Sequence, residues 1–273
     1  MQRVGGAGEF SSCAGANARS GSRQRLYLHI GLHKTGTTSF QDYCASHRDE
    51  LDRQELVVFQ PLANRANAHE IALAVLRPGV VSEPAWYRGK EQVRGYLQNF
   101  LATCGEKDVL ISAESLSYIR TQDECLELKK LFGHWHDSFE IVVLAVVRDR
   151  HDWWQSYCNE IRKTPLGPQK DPRSCYCLDE AGWLTDFSTL FDVLEKNFDE
   201  VKVLAYNKQD MTPGLLEAMG RSPIAGYQTR RLNARDKWPR LRRWYKRNLS
   251  DTVVGRVIRA CKAVFGLRGQ HSQ

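Results

Sequence analysis

The chain has 273 residues, of which 42% are hydrophobic and 10% aromatic, and its formal net charge is +7. This length and composition are ample for one globular domain with a single core. No run approaches the roughly 18 apolar residues of a membrane-spanning helix, and the N-terminus lacks the apolar region of a signal peptide. We therefore expect a cytoplasmic protein.

Hydrophobic periodicity divides the chain into a tail followed by alternating strands and helices. Residues 1–24 are rich in Gly, Ala, Ser and Arg without a strand or helix period, which predicts a disordered tail. Apolar runs predict five strands, at 26–30, 56–59, 109–111, 141–147 and 201–206. Helical spacing follows the first strand and recurs at 67–77, 88–103, 123–132, about 150–163 and 182–197, with a loop at 164–178.

This alternation indicates an α/β fold with a mostly parallel central sheet and helices on both faces. Ligands bind such sheets at the carboxyl ends of the strands. Three polar segments follow predicted strands: the loop at 31–38, the turn at Glu114, and Arg148. We expect them to meet in one active site at one edge of the sheet.

The first strand leads into a glycine-bounded, threonine-rich turn, in the sequence LYLHIGLHKTGTTSFQ. Gly31 and Gly36 permit a tight turn, and Thr37, Thr38 and Ser39 favour the first turn of a helix. Backbone N–H groups at such a helix start point at an anion. The pattern therefore indicates a strand, a phosphate-binding loop and a helix.

The loop has the glycine spacing of a nucleotide P-loop, G-x-x-x-x-G-K-[ST], but its lysine is displaced. Thr37 stands at the usual lysine position, and Lys34 lies three residues earlier. In ATPases and GTPases the later lysine contacts the β- and γ-phosphates, and the following hydroxyl binds magnesium. The displaced lysine indicates a different donor.

The segment Lys34-Thr35-Gly36-Thr37-Thr38 resembles the 5′-phosphosulfate loop of sulfotransferases, which use 3′-phosphoadenosine 5′-phosphosulfate (PAPS) and need no metal. That family also has an arginine at the end of a later strand and a serine eight residues on, both binding the donor's 3′-phosphate. Arg148 and Ser156 stand at this spacing in IVVLAVVRDRHDWWQSYCNEIRK. The resemblance covers about residues 25–206 and implies that PAPS is bound by Lys34, Thr35, Gly36, Thr37, Thr38, Ser39, Arg148 and Ser156.

The resemblance further implies in-line displacement, in which Lys34 stabilises charge on the departing phosphate and a base accepts the acceptor's proton. Glu114 follows the strand DVLISAE, where carbohydrate sulfotransferases have a glutamate base. His69 is the rival, since other members of the superfamily use a histidine. We prefer Glu114, and we interpret His33 as a residue that packs the loop or faces the acceptor.

The positive charge is concentrated at the C-terminus. Residues 238–273 contain nine basic residues and one acid, a net +8, so the other residues sum to −1. We expect residues 236–273 to form a basic helical tail, and its charge indicates an anionic partner: a membrane surface such as the inner face of a membrane, an acidic glycan or nucleic acid. Its apolar spacing suits a helix on a membrane surface, but it is more often that of a terminal helix docked on its own domain.

Eight cysteines are scattered along the chain without a disulfide framework, so we expect reduced thiols. Cys175 and Cys177 are close in sequence but lack a C-x-x-C motif or a histidine cluster. We therefore predict no zinc site.

The resemblance implies that residues 25–235 form an enzyme that sulfates a hydroxyl, with a glycan or glycolipid acceptor favoured and no nucleic-acid partner. Two alternatives stay open. The first is a metal-dependent P-loop kinase acting on a small molecule. The second is a non-catalytic nucleotide-binding protein that uses its basic tail as an anchor.

Overall fold

The computed structural model describes residues 23–62 and 67–227. The chain divides into two units after Tyr227, and the second unit, 228–273, lies outside the described residues. The predicted basic tail is therefore not described, nor are residues 1–22 of the predicted N-terminal tail. Gln24, which the sequence analysis placed in that tail, instead begins the first strand.

In the part of the chain that the structure describes, five strands form one sheet with the order β2-β3-β1-β4-β5, and every neighbouring pair is parallel. The predicted α/β fold with a parallel central sheet is confirmed. The strands are β1 (Gln24–His29), β2 (Leu56–Val58), β3 (Asp108–Ser112), β4 (Phe139–Val147) and β5 (Glu200–Ala205).

The described residues contain nine α-helices and two short 3₁₀ helices. The α-helices are α1 (Thr37–Ser46), α2 (Arg48–Arg53), α3 (His69–Val75), α4 (Lys90–Thr103), α5 (Gln122–Phe132), α6 (Trp135–Ser138), α7 (Arg150–Ile161), α8 (Phe187–Asn197) and α9 (Thr212–Ala218). The 3₁₀ helices are Glu114–Tyr118 and Trp183–Thr185. Over these ranges, no helix has both the length and the apolar character needed to cross a membrane.

The predicted helix at 182–197 is wrong at its start, because Asp186 interrupts it. The Asp186 carboxylate accepts the Thr189 N–H at 3.0 Å and so caps α8 one turn later than expected. The residues before Asp186 form a separate 3₁₀ helix. Helices α2, α6 and α9 were not predicted, since each is too short to establish a clear apolar period.

Successive side chains of the strands pack on opposite faces of the sheet, as the strand period requires. Leu26 and Leu28 of β1 belong to a core shared with α3, α4, α5, α7 and α8. Tyr27 lies between them in sequence and belongs to a second core, shared with α1, α2 and α9. Helices therefore cover both faces, as predicted.

The position of β1 in the sheet creates a crevice at the carboxyl ends of the strands. From β1 the chain leaves towards β2 with α1 on one face, whereas from β4 it leaves towards β5 with α7 and α8 on the other. Neighbouring strands whose connections diverge in this way mark a topological switch point, where open α/β sheets bind ligands. The loop at 31–38 and Arg148 follow these two strands.

Candidate functional site

The loop after β1 is tied to the neighbouring strand and closed on itself. The Ile30 N–H donates to the Leu144 carbonyl at 3.0 Å, and the Leu32 N–H donates to the Val146 carbonyl at 3.2 Å. The hydroxyl of the fully buried Thr35 donates to the Leu32 carbonyl. The Thr35 side chain therefore stabilises the loop internally. A ligand could then contact only the backbone of Thr35.

Two glycines allow the loop to turn within this space. A Cβ atom at Gly31 would lie 2.6 Å from Thr37 Cγ2 and 2.9 Å from His29 Nε2, which is too close for any larger residue. Gly36 has φ +81°, a left-handed conformation, and directly precedes α1. Both glycines are thus required by geometry.

The start of α1 faces the crevice without a side-chain cap among the described residues. Thr37 is buried, whereas Thr38 is exposed and Ser39 half-buried. The N-terminus of this ten-residue helix carries partial positive charge and favours an anion.

Lys34 lies in the loop and forms an ion pair with a residue of α7. Its Nζ is 3.3 Å from Glu160 Oε2, and the two side chains are 29% and 50% exposed. Lys34 has φ +70°, uncommon for a residue with a side chain. Because Ser156 lies one helical turn before Glu160, both residues share a face of α7. Ser156 is therefore on the side of α7 that approaches the loop.

Arg148 follows β4 and is held beside the loop by an aromatic ring. Its Cζ lies 5.2 Å from the centre of the Tyr206 ring, and its Nη2 lies 3.4 Å from Asp152 Oδ2. A Cβ atom at Gly36 would lie 3.8 Å from Tyr206 Cε2, so Tyr206 packs against both the loop and Arg148. The Arg148 Nε is buried without a hydrogen-bond partner in the described part of the chain.

Tyr206 was not predicted as a site residue. Its position directly after β5 is the signal that sequence analysis could have used, since it reaches the same edge as the loop and Arg148.

Glu114 begins the 3₁₀ helix after β3, and its Oε1 is 3.3 Å from His33 Nδ1. The His33 ring stacks on Tyr118, with ring centres 4.8 Å apart and planes inclined by 19°. The Glu114 side chain is 13% exposed. Because His33 directly precedes Lys34, the Glu114 carboxylate lies beside the loop.

His69 reaches the same edge through a different partner. It begins α3, and its Nδ1 is 2.8 Å from Ser115 Oγ. The structure thus brings Lys34, Arg148 and Glu114 to one crevice, and it connects His69 to that crevice through the residue after Glu114.

A buried polar cluster lies beneath the loop and was missed by sequence analysis. His29 is fully buried, and its Nδ1 is 2.8 Å from Ser112 Oγ. Gln41 Nε2 donates to the same Ser112 hydroxyl at 3.0 Å. Desolvation lowers the pKa of His29 to about 3, so the imidazole is neutral at physiological pH. Its place in the apolar strand LYLHI gave no sign of this role.

Possible metal ligands and thiols are the other reactive groups of the described residues. Within residues 23–62 and 67–227, no group of three or more His, Cys, Asp and Glu side chains is arranged to hold a metal ion. Cys175 and Cys177 are free thiols, and burial raises the pKa of the Cys175 thiol to about 12.

No family model matches the sequence, and no curated protein matches it significantly.

Proposed function

We propose that this chain is a sulfotransferase that transfers a sulfuryl group from PAPS to an acceptor hydroxyl. The observation that carries the proposal is the placement of the loop lysine, an arginine and a carboxylate around one crevice at the switch point of the sheet. The three residues follow three different strands. A donor with two phosphate groups and a reacting sulfate needs cationic groups for its phosphates and, at a separate point, a base for the acceptor. The motif resemblance assigns the same residues.

In the proposed complex, the loop and the start of α1 bind the 5′-phosphosulfate. Lys34 is itself a loop residue and its side chain is 29% exposed, so a phosphate can replace Glu160 as its partner. Arg148 and Ser156 bind the 3′-phosphate. The unpartnered Nε of Arg148 supports this assignment, because a buried guanidinium nitrogen gains a hydrogen bond when an anion enters.

The proposed reaction is an in-line displacement at sulfur. The acceptor oxygen forms a bond to sulfur while the bond between sulfur and the phosphate's bridging oxygen breaks, and the acceptor proton passes to the base. The electron pair of the broken bond stays on the phosphate, where Lys34 and the loop N–H groups stabilise the charge. The products are a sulfate ester and adenosine 3′,5′-bisphosphate.

Glu114 is the proposed base, because its carboxylate is oriented by His33 beside the loop. His69 is the second candidate, because it hydrogen bonds to Ser115 next to Glu114. Glu114→Gln and His69→Asn, compared at saturating donor, separate them. We expect Glu114→Gln to lower kcat by about 10²-fold or more and His69→Asn to lower it less.

The proposal is tested by calorimetry without added metal, comparing adenosine 3′,5′-bisphosphate with ATP plus magnesium. Tight binding of the bisphosphate supports a PAPS-type donor site. Preference for magnesium-ATP would instead support the P-loop kinase. Bisphosphate binding without turnover on glycan and glycolipid acceptors would support a non-catalytic nucleotide-binding protein.

A further inference from the structure

A cavity of about 320 Å³ lies beside the start of α3, and no residue of the loop at 31–38 lines it. Its walls include Glu70 of α3, Gln92 of α4, and the segment Trp86, Tyr87 and Arg88 that precedes α4. This volume is at the lower end of the range of small-molecule sites, which is about 300–1,000 Å³. None of the residues assigned to the donor contributes to these walls.

Glu70 is the unusual residue of this cavity, because only one of its two carboxyl oxygens has a hydrogen-bond partner among the described residues. Its side chain is 1% exposed, and its Oε1 accepts the Leu62 N–H at 2.8 Å. Its Oε2 is buried without a hydrogen-bond partner among the residues described. Desolvation raises the pKa of this carboxyl group. A ligand that donates a hydrogen bond to Oε2 would offset the cost of burying this oxygen without a partner.

The polar groups of the walls select against a charged ligand. Glu70 as a carboxylate only accepts hydrogen bonds, Arg88 only donates them, and Gln92 does both. Because the walls carry both a carboxyl group and a guanidinium, a ligand with a single charge is attracted by one of these groups and repelled by the other. Hydroxyl groups donate and accept, so a neutral polyol can satisfy all three residues. Trp86 and Tyr87 add flat, largely apolar surface for a ring.

A continuous series of contacts leads from this cavity to the loop. The Trp86 ring lies 6.2 Å from the ring of His69, which precedes Glu70. His69 Nδ1 is 2.8 Å from Ser115 Oγ, and the preceding residue, Glu114, contacts His33. The cavity therefore adjoins His69 and is connected through Ser115 to Glu114, on the side opposite to Arg148 in the strand order.

We infer that the cavity of Glu70 and Trp86 binds a neutral, polyhydroxylated ring, such as an uncharged sugar unit, and holds it for reaction at the neighbouring base. The role in transfer rests on the proposed sulfotransferase function. The binding of the ring does not, because it depends only on the walls of the cavity.

The test is saturation-transfer NMR on the full chain with the methyl β-glycosides of glucose, galactose and N-acetylglucosamine. Glucuronic acid and glucosamine serve as the anionic and cationic comparisons. We expect signal from at least one neutral glycoside and about ten-fold weaker binding of that glycoside by Glu70→Gln or Trp86→Ala. Glu91→Gln is the matched control, because Glu91 lies on α4 with its side chain 76% exposed.

Failure of all three neutral glycosides to bind, or stronger binding of either charged sugar, would overturn the inference. So would equal binding by the wild-type protein and by correctly folded Glu70→Gln and Trp86→Ala variants. Glu70→Gln keeps an oxygen for the Leu62 N–H, and thermal unfolding checks that each variant is folded. Calorimetry with adenosine 3′,5′-bisphosphate on the same samples separates the two proposals. Glycoside binding without bisphosphate binding would count against the sulfotransferase function alone, whereas bisphosphate binding without glycoside binding would count against the cavity alone.

Discussion

The proposed donor site implies that Glu160 competes with the donor for Lys34, so that removal of the Glu160 charge should tighten donor binding. Lys34 Nζ lies 3.3 Å from Glu160 Oε2, and the two side chains are 29% and 50% exposed. Ion pairs of this exposure contribute about 0.2–1 kcal/mol. A phosphate that takes over Lys34 must first overcome that interaction. Glu160→Gln removes the competing ion pair with Lys34. It should therefore lower the Kd of adenosine 3′,5′-bisphosphate by about 1.4- to 5-fold.

The assay is calorimetric titration of adenosine 3′,5′-bisphosphate into the wild-type protein and the variant at the same low ionic strength. Loss of any negative charge slightly favours an anion, so Glu195→Gln on α8 serves as a control for net charge. Lys34→Ala should weaken binding in both the wild-type and the Glu160→Gln background. Unchanged or weaker binding by Glu160→Gln would refute the reasoning, because it would mean that Glu160 orients Lys34 for the donor.

Three further predictions concern the loop and its surroundings. Arg148→Ala should weaken binding of adenosine 3′,5′-bisphosphate about ten-fold more than binding of adenosine 5′-monophosphate, measured by calorimetry, and an equal loss for both would contradict its assignment to the 3′-phosphate. Gly31→Ala should destabilise the protein by about 1–3 kcal/mol in urea unfolding, because its Cβ would lie 2.6 Å from Thr37 Cγ2. Gly95→Ala on α4, where a Cβ meets no atom within 4 Å, should instead stabilise by about 0.5–1 kcal/mol, and destabilisation there would show that space is not the deciding factor. His29 takes up a proton in the unfolded chain below about pH 6.5 but in the folded protein only near pH 3. As the pH is lowered through that window, the free energy of unfolding should therefore fall by up to about 1.4 kcal/mol per pH unit. Urea unfolding of the wild type and His29→Gln between pH 7.5 and 4.5 should give a shallower pH slope for the variant, and equal slopes would exclude a contribution from His29.

The sequence by itself determined the five strands, most of the longer helices and the location of the loop. Apolar runs such as 141–147 and the Gly31 to Gly36 spacing are local patterns, and the structure places β4 and the turn before α1 where those patterns predict them. Parallel strands carry continuous apolar runs because both faces are buried, so the fold class was also readable. The boundary error at Asp186 arose because an apolar period does not reveal a capping side chain.

Only the tertiary structure decided which side chains meet. Lys34 and Glu160 are 126 residues apart in the chain, and neither the ion pair between them nor the stacking of Arg148 on Tyr206 leaves a local pattern. The pairing of His33 with Glu114 likewise depends on β1 lying next to β3. The desolvation of His29 and Glu70 depends on what covers them after folding. Periodicity arises from the geometry of one strand or helix, whereas burial and ion pairing arise from the order in which strands join the sheet.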